Sequence, residues 1–163
     1  MEKIALVTGA SKGIGRACAK ELAKNGIKVI ANYNKSEDMA KKLKEELLKE
    51  NIEIDIYKTD VGNKEETKQM IKDILEKYGK IDILINNAGI SQTKLFTDIT
   101  DEDWENMINV NLSSVFYTTR EAIKSMISNK EGNIINISSV WGTTGGSCEV
   151  HYSAAKARNS RND

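Results

Sequence analysis

A chain of 163 residues, 39% hydrophobic and 29% charged, is long enough for one domain with a buried core and ordinary for a globular protein. Lys and Arg balance Asp and Glu at 24 each, which leaves no basic field for a nucleic-acid or anionic-membrane partner. No apolar run approaches the roughly 20 residues of a membrane span, and Met1-Glu2-Lys3 opens into a strand rather than a leader, so a cytoplasmic protein is expected.

Ile4-Ala5-Leu6-Val7 is a short apolar run that reads as a first strand and ends in Thr8-Gly9-Ala10-Ser11-Lys12-Gly13-Ile14-Gly15. Ile14, Ala17, Cys18 and Leu22 then keep helical spacing as far as Gly26. Strand, glycine-rich turn and helix together bring backbone N–H groups and a helix N-terminus up to a phosphate. The spacing is Gly-x-x-x-Gly-x-Gly; without its flanking strand and helix it would be a loop like any other.

Lys28 to Tyr33 reads as the second strand. NAD-binding folds place an acid at its end to hold the adenosine ribose. Here Asn34, Lys35 and Ser36 follow, and no carboxylate comes before Glu37. The missing acid, with Lys12 and Lys35 nearby, points to a 2′-phosphate and hence to NADP(H); the plain alternative is two solvated lysines. Ser36 is placed to cap a helix with Met39, Leu43 and Leu47 on one face.

Ile52 to Tyr57 alternates as a third strand and leads to Asp60-Val61. Asn63 with Glu66 has the form of a capping box before a helix carrying Thr67, Ile71, Ile74 and Tyr78, closed by Gly79. Ile81 to Ile85 is the fourth strand, ending in Asn86-Asn87-Ala88-Gly89. Thr100 starts a helix with Trp104, Met107, Ile108 and Asn111 on one side, continuing through Val115, Thr119, Ala122 and Met126. Asn111 is a polar residue on that apolar face, either a core asparagine satisfied by backbone or a polar relay beneath a site.

Asn133 to Ile137 is the fifth strand, with Ser138-Ser139 at its carboxyl end. The loop from Val140 to Val150 then delivers Tyr152-Ser153-Ala154-Ala155-Lys156. Tyr152 and Lys156 are four apart and share a helix face. A neighbouring cation lowers a tyrosine pKa from about 10, as general acid catalysis near neutral pH requires; a chance surface pair is the bland alternative. Cys18 and Cys148 match no metal or redox spacing, and no metal site is expected.

Strands alternating with helices predict an α/β fold with a parallel sheet and helices on both faces. With the glycine-rich turn after the first strand it is expected to be Rossmann-like and doubly wound, in the strand order 3-2-1-4-5 of such folds. Ligands bind beyond the carboxyl ends of such strands, where the glycine-rich turn, Asp60-Val61 and Asn86-Asn87-Ala88-Gly89 lie.

The turn Thr8–Gly15, Asp60-Val61, Asn86-Asn87-Ala88-Gly89, Asn111, Ser139 and Tyr152-x-x-x-Lys156, in this order, resemble the short-chain dehydrogenase/reductase family. Its bacterial 3-oxoacyl-acyl-carrier-protein reductases look most similar. Trp141-Gly142 and Ser147-Cys148-Glu149-Val150 look more like the related ketone reductase that acts on aminopentanone-modified elongation factor P. The resemblance implies hydride transfer from NADPH to a ketone that is small or carrier-bound. By the same resemblance, Tyr152 is the proton donor, Lys156 tunes the tyrosine and holds the nicotinamide ribose, Ser139 binds the substrate oxygen, and Asn111 supports a water relay. Gly9, Ser11, Lys12, Gly13, Ile14 and Gly15 would cradle the pyrophosphate, Asp60 and Val61 border the adenine, and Asn34 lie at the 2′-position. Asn87, with Ala88 and Gly89, would lie along the adenosine ribose. His151 receives no role and is expected to face solvent. The family also implies a homotetramer.

The resemblance spans a reductase domain over 1–156 and breaks over 157–163, where Arg158-Asn159-Ser160-Arg161-Asn162-Asp163 lacks the apolar spacing of a continuing helix. One encoding of Ala-Arg-Asn-Ser-Arg-Asn-Asp, with a single base removed, reads Ala-Gly-Ile-Ala-Glu-Met-Thr, an amphipathic continuation. The expectation is an aberrant, frame-shifted tail, with the Ile-rich fifth strand left as an open edge. A nucleotide-binding remnant without catalysis is therefore the alternative to a working reductase.

Overall fold

Strands and helices alternate as far as β4 in the computed structural model, which describes residues 2–159. β1 (Ile4–Val7) is followed by α1 (Gly13–Lys24), β2 (Lys28–Tyr33), α2 (Glu37–Lys49), β3 (Asp55–Lys58), α3 (Lys64–Tyr78) and β4 (Ile83–Asn86). Then come α4 (Asp101–Ile108), a π-helical segment Asn109–Ser113, α5 (Ser114–Asn129), β5 (Asn133–Asn136), a short α6 (Trp141–Thr144) and α7 (Val150–Asn159). The strands form one parallel sheet in the order β3-β2-β1-β4-β5. The fold is thus the doubly wound α/β sheet the sequence predicts. The expected aberrant tail lies, from residue 160 on, outside the described residues.

Both faces of the sheet are covered, and β1 shows how. Its side chains alternate with period two, so Ile4 and Leu6 join Met70, Ile71, Ile74, Ala122 and Met126 from α3 and α5. Ala5 and Val7 join Ala19, Ala23, Leu43 and Leu47 from α1 and α2. A strand buried on both faces reads as a continuous apolar run, and all four residues of β1 are buried.

Helix ends follow sequence chemistry in three places and depart from it in two, and the buried faces of α1 and α2 depart from it as well. Thr100 and Asp103 form a reciprocal capping box at α4, Gly79 closes α3 in the left-handed conformation at φ 77°, and Asn63 accepts from Glu65 N and Glu66 N. The expected Asn63–Glu66 box is only half made, because Glu66 Oε2 accepts from Asp60 N at 3.0 Å instead. Ser36 stands at the N-cap of α2 without a side-chain bond, and Met39 is exposed while Ala40, Leu43 and Leu47 are buried. On α1 the buried stripe is Gly15, Ala19 and Ala23 rather than Ile14, Ala17, Cys18 and Leu22. Small side chains let that helix approach the sheet closely, and Ile14 is left on the ligand side.

Candidate active site

Three strand ends converge on the turn after β1. The Thr8 hydroxyl accepts the N–H groups of Asn87 and Ala88, both at 3.0 Å. The Asn87 amide donates to Thr8 O at 2.9 Å and to Gly9 O at 3.1 Å. Buried Asn32, inside β2, accepts from Gly9 N at 3.2 Å and donates to Thr59 O at 3.1 Å. These bonds fix the turn from β2, β3 and β4 at once and use up polar groups that burial would otherwise penalise. Gly9 needs to be glycine on two counts: its φ is +62°, and a Cβ there would stand 2.8 Å from Ala88 Cα.

Beyond this turn lies a cavity of about 560 Å³, within the usual size of a small-molecule site. Its lining includes Gly9, Ser11, Lys12, Gly13, Ile14, Asn34, Asp60, Val61, Asn87, Ala88 and Gly89. Every cofactor candidate from the turn, β2, β3 and β4 is therefore on its wall except Gly15, which stands behind it against Asn87. Lys35 and Ser36 join the wall at the end of β2. Arg16, the other cation near the turn, is paired with Glu46.

A second hollow of about 210 Å³ carries Tyr152 and Lys156 together with Ser91, Ile137 and Ser138. α7 presents both candidates to it, as the four-residue spacing requires. Lys156 Nζ lies 5.9 Å from the centre of the Tyr152 ring and donates to Ile137 O at 3.0 Å. Burial pushes the Lys156 ammonium below its ordinary pKa.

Across from it, a Cβ on Gly89 would stand 2.7 Å from Asn111 Oδ1 and 3.5 Å from Lys156 Nζ, so Gly89 lets these two groups approach. Asn111 is fully buried at the centre of the π-helical segment. Its carboxamide accepts from Ile90 N at 3.2 Å and donates to Ile90 O and Met107 O, each at 3.0 Å. It is thus satisfied by backbone, and what it holds is a residue of the hollow's wall. The wide π turn, a local feature common at functional sites, is what the sequence pattern did not show.

The two serines after β5 go to different places, as consecutive residues of an extended chain do. Ser138 lines the hollow and donates to Lys156 O at 2.9 Å. Ser139 Oγ accepts from Trp141 N at 3.3 Å at the start of α6. His151 overturns an expectation outright: it is fully buried rather than solvent-facing, on a helix that packs against α4 and the π-helical segment, while Val150 before it is exposed. Asn32, Gln92, Ser138 and His151 are the participants that sequence reading missed. Each is recognised by a partner far along the chain, and no local spacing marks it.

The model of a family described as short chain dehydrogenase matches residues 3–159. The chain belongs to the short-chain dehydrogenase family. A 3-oxoacyl-(acyl-carrier-protein) reductase of Synechocystis is 43% identical over 95% of this chain and 63% of its own length. An acetoacetyl-CoA reductase of Allochromatium vinosum is 43% identical over 96% of this chain and 64% of its own. Among solved structures, a metagenomic short-chain oxidoreductase in complex with NADP superposes with a TM-score of 0.90 at 29% identity, over 94% of this chain and 70% of that one. The chain therefore spans somewhat under two thirds of the length of these curated relatives. No helix among the described residues is long and apolar enough to cross a membrane.

Proposed function

We propose that the chain is built for NADP(H)-dependent reduction of a ketone to a secondary alcohol, with a carrier-bound 3-oxoacyl thioester as substrate. The observation that carries this reading is a continuous slot. Ile14, Asn87, Gly89 and Ile90 line both the larger cavity and the hollow of Tyr152 and Lys156. A dinucleotide laid along the glycine-rich turn would reach the phenol with its far end. The substrate class follows from what the relatives' names share, a β-keto thioester.

The residues present fit NADP(H). Lys12 from the glycine-rich turn and Asn34 and Lys35 just after β2 line the cavity, and the carboxylate on its wall, Asp60, follows β3 rather than β2, which suits a phosphate rather than a hydroxyl at the end of β2. When bound, the cofactor supplies hydride to the ketone carbon. Tyr152 then gives its phenolic proton to the oxygen that becomes the alcohol, and the Lys156 cation offsets the charge left on the phenol. Ser139 donates a hydrogen bond to the substrate oxygen, and Asn111 keeps Ile90 in place on the opposite wall.

The purified protein should consume NADPH with acetoacetyl-CoA or a β-keto ester, one alcohol formed per NADPH lost. Tight NADPH binding without reduction of any such ketone would reject the activity while sparing the cofactor assignment. Lys12→Ala should weaken NADPH about tenfold, or ~1.4 kcal/mol, and NADH much less. Equal loss for both cofactors would mean that Lys12 does not meet a 2′-phosphate. The serines separate in the same assay: Ser139→Ala should lower kcat about tenfold or more, and Ser138→Ala should act chiefly through thermal stability. The reverse pattern would move the substrate-binding hydroxyl to Ser138.

A further inference from the structure

His151 is the protein's single histidine, and nothing in the proposed reaction uses it. Its Nε2 lies 2.9 Å from Gln92 Oε1, and its Nδ1 has no hydrogen-bond partner among the described residues. The bonds continue outward: Gln92 Nε2 donates to Asp103 Oδ1 at 2.9 Å. The other oxygen of Asp103 accepts from Lys94 Nζ at 2.5 Å and from Thr100 N and Oγ1 at 3.0 and 2.8 Å. Alongside, Lys94 N donates to Cys148 O at 2.8 Å. The stretch entering α7 and the loop after β4 are thus fastened twice, once by backbone and once through His151.

The polarity of this chain follows from its far end. The Lys94 ammonium first, then Gln92 and Thr100, hold the Asp103 carboxyl well below the usual range, so Asp103 stays ionised and can only accept. The Gln92 amide must therefore turn its NH₂ to Asp103 and its oxygen to His151. That oxygen also only accepts, so Nε2 carries the proton and Nδ1 the bare lone pair. The other tautomer would set a lone pair against Gln92 Oε1, and a doubly protonated ring would bury a donor with no described acceptor. One form of the imidazole fits.

We propose that His151 is a positioning residue for Tyr152. Asp103, Gln92 and His151, locked in one hydrogen-bond polarity, clamp the start of α7 to the loop after β4 and so set the spacing between Tyr152 and the Gly89–Ile90 wall. The effect on catalysis rests on the reductase reading; the clamp itself does not.

With one histidine, nitrogen-15 long-range NMR of the intact protein reads one imidazole. At neutral pH it should show the Nε2–H tautomer, and Asp103→Asn, which lets the Gln92 amide turn over, should give a mixture. An Nδ1–H ring or an averaged ring in the unaltered protein overturns the assignment. For the positioning role, His151→Leu fills the space without donating, whereas His151→Gln can still donate to Gln92. The Leu variant should lose about tenfold in kcat at unchanged KM for NADPH, and the Gln variant should recover most of it. Equal losses in both variants would reduce His151 to packing and overturn the role. If the unaltered protein reduces no ketone, the reductase reading fails instead. The backbone amide resonances of Tyr152 to Lys156 then decide: the Leu variant must move them and the Gln variant restore them, and unmoved resonances defeat the clamp.

Discussion

Tyr152→Phe should abolish nearly all turnover while NADPH still binds. The phenol is the proton donor proposed in the hollow, and removing a positioned general acid costs about 10²–10⁴-fold in rate. The ring itself stays, so its packing over Lys156, 5.9 Å from the ammonium, is kept and α7 has no reason to shift. Most of the cavity wall belongs to the turn, β2, β3 and β4, so the NADPH dissociation constant should change by no more than about twofold. Parallel titrations by cofactor fluorescence and by turnover separate the two quantities. Near-normal turnover would mean that another group delivers the proton. Loss of NADPH binding would mean that the phenol anchors the cofactor rather than serving the ketone. Lys156→Ala should differ by damaging both, since the ammonium is buried between the Ile137 carbonyl and the Gly89 backbone.

What the sequence exposed and what it hid divide along a physical line. β1 and β2 are legible to the residue because each carries apolar residues in succession, Ile4–Val7 and Val29-Ile30-Ala31, ahead of a polar turn, and Lys28–Tyr33 pairs with both β1 and β3. The third strand begins at Asp55, not at Ile52. The alternation starting at Ile52 belongs to the chain entering the strand, where burial matters but ladder pairing does not. Helix faces failed where the contact residues are small. Gly15, Ala19 and Ala23 carry little hydrophobic weight, so the larger Ile14 and Leu22 dominate the pattern, although Ile14 is 60% exposed.

The cofactor side was legible because its residues cluster at strand ends. The polar contacts that hold it were not. Asn32 meets Gly9 across 23 residues, and His151 meets Gln92 across 59. Burial alone decides whether such a side chain is a solvated group or a clamp, and composition does not report burial. The sequence places His151 in solvent for that reason, and the structure buries it.

Gly15→Ala should deform the cofactor cavity from behind. Inside a helix alanine is favoured over glycine by about 1 kcal/mol, and Gly15 has no positive φ, so backbone propensity predicts a gain. Space predicts the opposite. A Cβ on Gly15 would stand 2.3 Å from Asn87 Nδ2 and 2.7 Å from Gly9 O. The first is the end of a side chain, but one held by the carbonyls of Thr8 and Gly9; the second is backbone. Relief therefore requires either breaking the Asn87 bonds or moving the turn away from α1. Overpacking of this kind costs about 1–3 kcal/mol, enough to cancel the helix gain and lower Tm by several degrees, at roughly 2–4 °C per kcal/mol for a domain of this size. Because the displaced atoms are those that shape the turn, NADPH affinity should fall more steeply than stability, by about 10- to 100-fold. Gly79→Asn is the control: it lies at the end of α3 at φ +77° with nothing within 4 Å of a built Cβ, and asparagine tolerates that conformation. The control should melt near the unaltered protein and bind NADPH equally well. A Gly15→Ala protein with unchanged Tm and unchanged NADPH affinity would show that the Asn87 clamp does not shape the turn, and the cavity would need another account.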